Sequence, residues 1–150
     1  MSLSEKAGDD GVVTFLIRHT WLGMRAAIED ELSGFDLTVP QFATLMMLDR
    51  RPGMSVAEVA RACGTTRQAA NEMVAGLQAH GLVVRSPHPT DRRAHQLHAT
   101  EAGLELYGKA KPAVRRREEA LEAGLDPELR ASAREWMLLL AAACGFQELD

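Results

Sequence analysis

No stretch of this chain stays apolar long enough to cross a bilayer, and its start lacks the basic opening and apolar core of a secretory leader. A cytoplasmic protein with no membrane partner is the expectation. Cysteine is scarce. Cys63 and Cys144 are the only two, and neither sits in a Cys-x-x-Cys spacing that would point to zinc or redox exchange. Both fall in apolar helical surroundings, so buried free thiols are expected. The signatures of catalysis are missing too: there is no Gly-x-Ser-x-Gly, no His-Glu-x-x-His, no glycine-rich phosphate loop, and no evident His partner for either cysteine. Neither an enzyme nor a cofactor is expected. Strand alternation would send His95 and His98 to opposite faces, which disfavours a shared metal ion.

What is present suits one soluble unit: 150 residues, 46% of them apolar and 25% charged. The net charge of −4 speaks against a nucleic-acid partner until its distribution is considered. Between Arg61 and Gln96 lie five arginines (Arg61, Arg67, Arg85, Arg92 and Arg93) and only two acids, Glu72 and Asp91. A basic patch on an acidic chain is enough to attract phosphate, because the attraction is local and is screened beyond the Debye length.

The basic stretch has a definite architecture. Ser55 and Glu58 form a capping box, with Met54 and Val59 placed as a hydrophobic staple, so a helix starts at Val56. Gly64 supplies a left-handed residue to end it, and Thr65 with Gln68 reads as a second capping box. Two helices meeting across so short a turn have helix-turn-helix geometry. In the second helix Ala70, Met73, Val74 and Leu77 recur at the helical period as a buried stripe, which leaves Arg67, Gln68, Asn71, Glu72 and Gln78 on the other face. Arg can pair with guanine and Asn with adenine in the major groove, where those edges present matching bidentate patterns. An ordinary solvated helix face would look similar, so the segment C-terminal to this helix decides between the two.

Gly81 ends the helix; Leu82 to Ser86 is a β-rich run, Pro87-His88-Pro89-Thr90 breaks it, and a strand from about Ala94 to Ala99 returns. Asp91-Arg92-Arg93 then occupies the tip of a polar hairpin, a wing. Gly81-Leu82, Asp91-x-Arg93 and Thr100-x-x-Gly103 together resemble the signature of MarR-type winged-helix regulators. Leu37-Thr38-x-x-Gln41-Phe42 also resembles that family's second helix, although Ala99 stands where the family usually has Leu. The resemblance implies a mainly α fold with a small β-hairpin wing: a winged helix-turn-helix plus a helical dimerisation lobe built from the N- and C-terminal helices.

The remaining helices agree with that plan. Residues 1–10 lack periodicity and are expected to be mobile. Ile17, Trp21, Met24, Ile28 and Leu32 mark an amphipathic helix from Val12 to about Leu32, closed by Gly34. Thr38, Gln41 and Pro40 open the next, which runs to about Arg51. Thr100 caps a helix reaching about Leu125, with Pro112 expected to kink it. Asp126 and Pro127 start the last helix, whose stripe of Leu129, Ala133, Trp136, Leu140 and Ala143 is expected to be buried before Gly145 stops it. The mixed tract Arg115-Arg116-Arg117-Glu118-Glu119 reads as a solvated face. The domain division is thus one unit: 11–36 and 101–150 as dimerisation helices and 37–100 as the winged helix-turn-helix.

These features set the functional expectations. The partners are double-stranded DNA, a second copy of the chain, and a small-molecule effector of the aromatic or anionic kind that the family often binds. Arg67, Gln68, Asn71 and Glu72 face base edges, Arg61, Thr65, Thr66 and Arg85 contact phosphate, and Arg92 and Arg93 enter the minor groove. Asp91 holds Arg93 or the turn backbone by a charge-assisted hydrogen bond. Trp21, Arg25 and Phe42 are the candidate effector contacts, with Arg25 as the anion partner. The alternative is a winged helix that contacts proteins and not DNA, for which paired arginines at the tip would serve no purpose.

Overall fold

The computed structural model describes residues 12–146; the reading of residues 1–10 as mobile lies outside them. The elements run α1 (Val13–Ser33), α2 (Val39–Arg50), α3 (Val56–Ala62), α4 (Arg67–Ala79), β1 (Val83–Pro87), β2 (His95–Ala99), α5 (Glu101–Glu122) and α6 (Pro127–Ala143). The strands form a two-stranded antiparallel hairpin in which Val83 lies opposite Ala99 and Pro87 opposite His95. This is the expected mainly helical chain with one small wing. No described helix is long and apolar enough to cross a membrane.

Local chemistry sets the helix starts. Thr38 accepts from the Gln41 amide while the Gln41 side chain accepts from the Thr38 amide, and Ser55 and Glu58 do the same for α3. Asp126 Oδ1 takes the amides of Glu128 and Leu129 at 2.8 and 3.1 Å, with Pro127 in the first turn of α6. One helix start differs from the sequence reading. At the end of α3 the Gly64 amide bonds Arg61 and the Thr65 amide bonds Ala60, a Schellman closure with Gly64 at φ 61°. Thr65 is consumed in finishing α3, so Thr66 becomes the cap of α4 and accepts from the Ala69 amide at 3.1 Å. α1 does end at the expected Gly34, which stays right-handed at φ −66° while the reversal falls to Asp36 at φ 53°.

One core joins the second half of α1 to α2, α3, α4, the wing base and the first half of α5. Leu32, Leu45, Leu48, Val59, Val74, Leu77, Val83 and Leu97 are at most 1% exposed within it. Truncating a buried Leu of this kind costs about 2–5 kcal/mol, since the cavity adds to the lost transfer energy. The wing is tied into this core at its root, where Gly53 donates to the Leu97 carbonyl and Leu97 donates to Met54, both at 2.8 Å. Also at the root, where β2 ends, Thr100 donates through its amide to Leu82 and through Oγ1 to Gly81 at 2.6 Å, and accepts from the Gly103 amide. α5 therefore starts pressed against the exit of α4 and continues through Pro112.

The outer helices are different. Trp21 is 53% exposed and Trp136 48%, and α6 buries none of its residues, so the stripe expected to be buried is open in the single chain. The reason is geometric. Buried residues reach only as far as Ile28 on α1 and Val114 on α5, and beyond them Val13, Leu16, Ile17, Trp21 and Met24 of α1 face Trp136 and Met137 of α6 across an open apolar trough.

Candidate nucleic-acid interface

Helix α4 is held from below by Ala70, Val74 and Leu77, each fully buried, so its opposite face is fixed in place and open to solvent. Arg67, Gln68 and Glu72 are exposed in its first two turns, and Asn71 is half-buried. Gln68 Nε2 lies 3.4 Å from Glu72 Oε1, and Asn71 Nδ2 donates to the Arg67 carbonyl at 3.0 Å. Thr65 and Thr66 are exposed at the helix N-terminus, and Arg61 is exposed on α3 beside it. Amides and hydroxyls at that end favour an anion.

The wing tip is built by side-chain hydrogen bonds to backbone. Asp91 Oδ1 accepts from the Arg93 amide at 2.9 Å, so its carboxylate organises the turn and not the Arg93 guanidinium. His88 does as much. Its Nδ1 accepts from the amides of Thr90 and Asp91 at 3.3 and 3.2 Å, the role Asn or Asp plays in an Asx turn. Sequence reasoning gives His88 no more than a place in the segment that breaks the first strand; its position one residue before a Pro-Thr-Asp turn is the signal that could have found this role. Arg92 and Arg93 project from this tip, both exposed to solvent.

Among the described residues no carboxylate lies within ion-pair distance of Arg61, Arg67, Arg92 or Arg93. Among the described residues, four guanidinium groups without a direct ion pair thus share the helix-turn-helix and wing, with Glu58 acting on Arg61 only at longer range, whereas Arg115 on the mixed tract of α5 pairs with Glu119 in open solvent. Arg85 departs from its expected place. It turns inward from β1, half-buried, with Nε donating to Gln78 Oε1 at 2.8 Å and Nη1 at 3.5 Å from Asn71 Oδ1. Gln78, not singled out as a site residue from sequence, is its main partner.

This arrangement matches known proteins in sequence as well as shape. A MarR family model covers residues 35–94. An HTH-type transcriptional repressor of Mycobacterium tuberculosis is 33% identical over 107 residues, which span 71% of this chain and 77% of that protein. The chain belongs to the MarR family. Other relatives include a putative regulatory protein for the hcr operon of Thauera aromatica, 31% identical over 61% of this chain and 55% of that one. Among solved structures, the repressor CouR bound to a 23-mer DNA duplex superposes with a TM-score of 0.80 at 28% identity, covering 90% of this chain and 96% of that one. A Mycobacterium tuberculosis MarR-family protein in complex with salicylic acid gives 0.75 at 29% identity, covering 88% and 98%. This MarR-family chain is accordingly a winged-helix transcriptional regulator.

The candidate effector contacts do not come together in it. Arg25 lines a cleft of about 360 Å³ between α1 and the helix-turn-helix, with Thr38, Gln41, Cys63, Thr65 and Met73, and is already paired with Glu29 at 2.9 Å. Trp21 lies instead in an apolar trough of about 430 Å³ with Trp136 and Met137. Phe42 lines neither: it is packed inward, its ring centroid 5.4 Å from that of Tyr107. The thiols also differ from expectation. Cys144 is exposed at the end of α6, while Cys63 is half-buried, and burial raises its thiol pKa. Among the described residues no cluster of His, Cys, Asp and Glu is disposed to hold a metal.

Proposed function

We propose that this regulator is a homodimeric, sequence-specific DNA-binding repressor that acts in the cytoplasm on an inverted-repeat operator and carries out no catalysis. The observation that carries the reading is the set of exposed arginines, without an ion pair among the described residues, shared by the N-terminal half of α4 and the wing tip. Arg67, Gln68 and Asn71 read base edges, with Glu72 holding Gln68; Arg61, Thr65 and Thr66 fix the register on phosphates, and Arg92 and Arg93 enter the minor groove. The DNA complex of CouR supports the reading.

The open stripes of α1 and α6 support the dimer. A chain with large apolar residues such as Trp21, Leu129, Met137 and Leu139 more than half exposed, and Trp136 nearly so, has a surface that water disfavours, and an isologous partner covers it on both copies at once. A small aromatic or anionic effector is assigned to the Arg25 cleft, supported by the salicylic acid complex of the mycobacterial relative. A carboxylate there would compete with Glu29 for the guanidinium. Selection of bound sequences from a random duplex pool, at stated salt, tests the whole: an enriched palindrome with half-sites about 10 base pairs apart is expected, and the absence of any enriched sequence overturns the reading.

A further inference from the structure

Arg85 stands out from the other basic residues of this surface because its charge is spent inside the protein. Strand alternation puts it on the same face of β1 as the buried Val83, toward α4. From there one guanidinium spans two turns of the helix, bonding Gln78 through Nε at 2.8 Å and approaching Asn71 Oδ1 through Nη1 at 3.5 Å. Asn71 meanwhile donates through Nδ2 to the Arg67 carbonyl. An Asn amide has two donor hydrogens and two acceptor lone pairs. With one of each engaged, it keeps one donor and one acceptor, the complement of the adenine N7 and N6 pair.

Resting on the DNA-binding reading, we infer that Arg85 is a positioning residue for Asn71 and makes no phosphate contact. It sets which way round the Asn71 amide is held, and it joins the wing strand to the reading face of α4 so that the two approach DNA as one surface. Gln78 is the clamp that keeps the guanidinium turned inward. A phosphate contact and a positioning residue differ in what their loss does. Removing a phosphate contact weakens every sequence alike and lowers the slope of log affinity against log salt by about 1. Removing a positioning residue leaves the slope and relaxes preference at one base pair.

The test measures binding of the wild type, Arg85→Met, Arg85→Lys and Gln78→Leu to the selected operator and to its single-base variants between about 50 and 200 mM salt. Arg85→Met is expected to keep the wild-type salt slope and to lose about tenfold or more in discrimination at the Asn71 base pair. Arg85→Lys, which keeps the charge but cannot fork to both amides, should lose discrimination in the same way. Gln78→Leu, which frees the guanidinium from its clamp, should lose part of it. In an Asn71→Ala background neither Arg85 variant should reduce discrimination further, since the residues act as one unit. A slope lowered by about 1 with uniform weakening overturns the inference, and so does full discrimination in both Arg85 variants. A wild type that prefers no duplex fails the DNA-binding reading itself, a distinct result.

Discussion

Replacing Gly103 with Ala should destabilise this protein although it sits in a helix, where the same change ordinarily stabilises. A Cβ at Gly103 would fall well inside van der Waals contact distance of the Leu82 carbonyl oxygen and 3.3 Å from Cδ2 of the fully buried Leu45. The Leu82 carbonyl cannot retreat freely, because it accepts from the Thr100 amide at 3.0 Å. The helix-propensity gain is about 1 kcal/mol. Against it stand about 1–3 kcal/mol for overpacking and about 0.5–1.5 kcal/mol for a strained hydrogen bond. A net loss of about 0.5–3.5 kcal/mol results, worth about 2–4 °C in Tm for each kcal/mol at this size. Gly108, five residues on in α5, is the internal control: apart from its own neighbouring helix backbone no described atom lies within 4 Å of its Cβ position, so Gly108→Ala should be neutral or stabilising. Urea unfolding monitored by circular dichroism, at one protein concentration for all three chains, gives the signs. Gly103→Ala as stable as the wild type would show that α5 does not press on the exit of α4 as described.

Three further outcomes are expected. Glu58 has its pKa lowered from 4.5, chiefly by the Ser55 amide and with help from Arg51, so its charge stabilises the fold above that value and the contribution is lost as pH falls through the lowered one. Stability curves of wild type and Glu58→Gln should therefore differ at pH 7 and converge in acid; a gap independent of pH would refute the linkage. In a Cys144→Ser variant, Cys63 should react with a thiol reagent far more slowly in the folded than in the urea-unfolded protein, because burial disfavours its thiolate, and equal rates would contradict the packing given for it. Trp136→Glu puts a charge in the apolar trough and should halve the mass seen by light scattering at low micromolar concentration; an unchanged dimer would remove α6 from the interface.

Much of this is legible in the sequence because it is local. The caps at Thr38, Ser55, Thr100 and Asp126 depend on a side chain reaching an amide two or three residues on, and spacing alone displays that. The cap of α4 falls at Thr66, one residue beyond the expected Thr65, because the Schellman closure of α3 uses Thr65, and two adjacent threonines look alike to a spacing rule. The inward turn of Arg85 is hidden for another reason: its partner lies seven residues back, across the bend between α4 and β1. Trp21, Arg25 and Phe42 share apolar and cationic character but no cavity, since periodicity ranks which residues turn inward without saying which inner surface they meet. The thiol of Cys144 reads as buried for the same reason, since it caps an apolar helix none of whose residues is buried in the single chain.

The wing is a body with two unlike ends. Its root shares the hydrogen bonds of Gly53, Met54 and Leu97 and unfolds only when the core does, whereas the tip from His88 to Ala94 is held by bonds among its own residues. Substitutions at the tip should therefore cost the fold almost nothing, and those at the root a great deal. For a lineage of such proteins this separates two kinds of change. Contacts to the flanking sequence of an operator can drift by exchange of the segment 88–94, while the frame that aims α4 stays as it was, so new binding preferences are reached without passing through unstable intermediates.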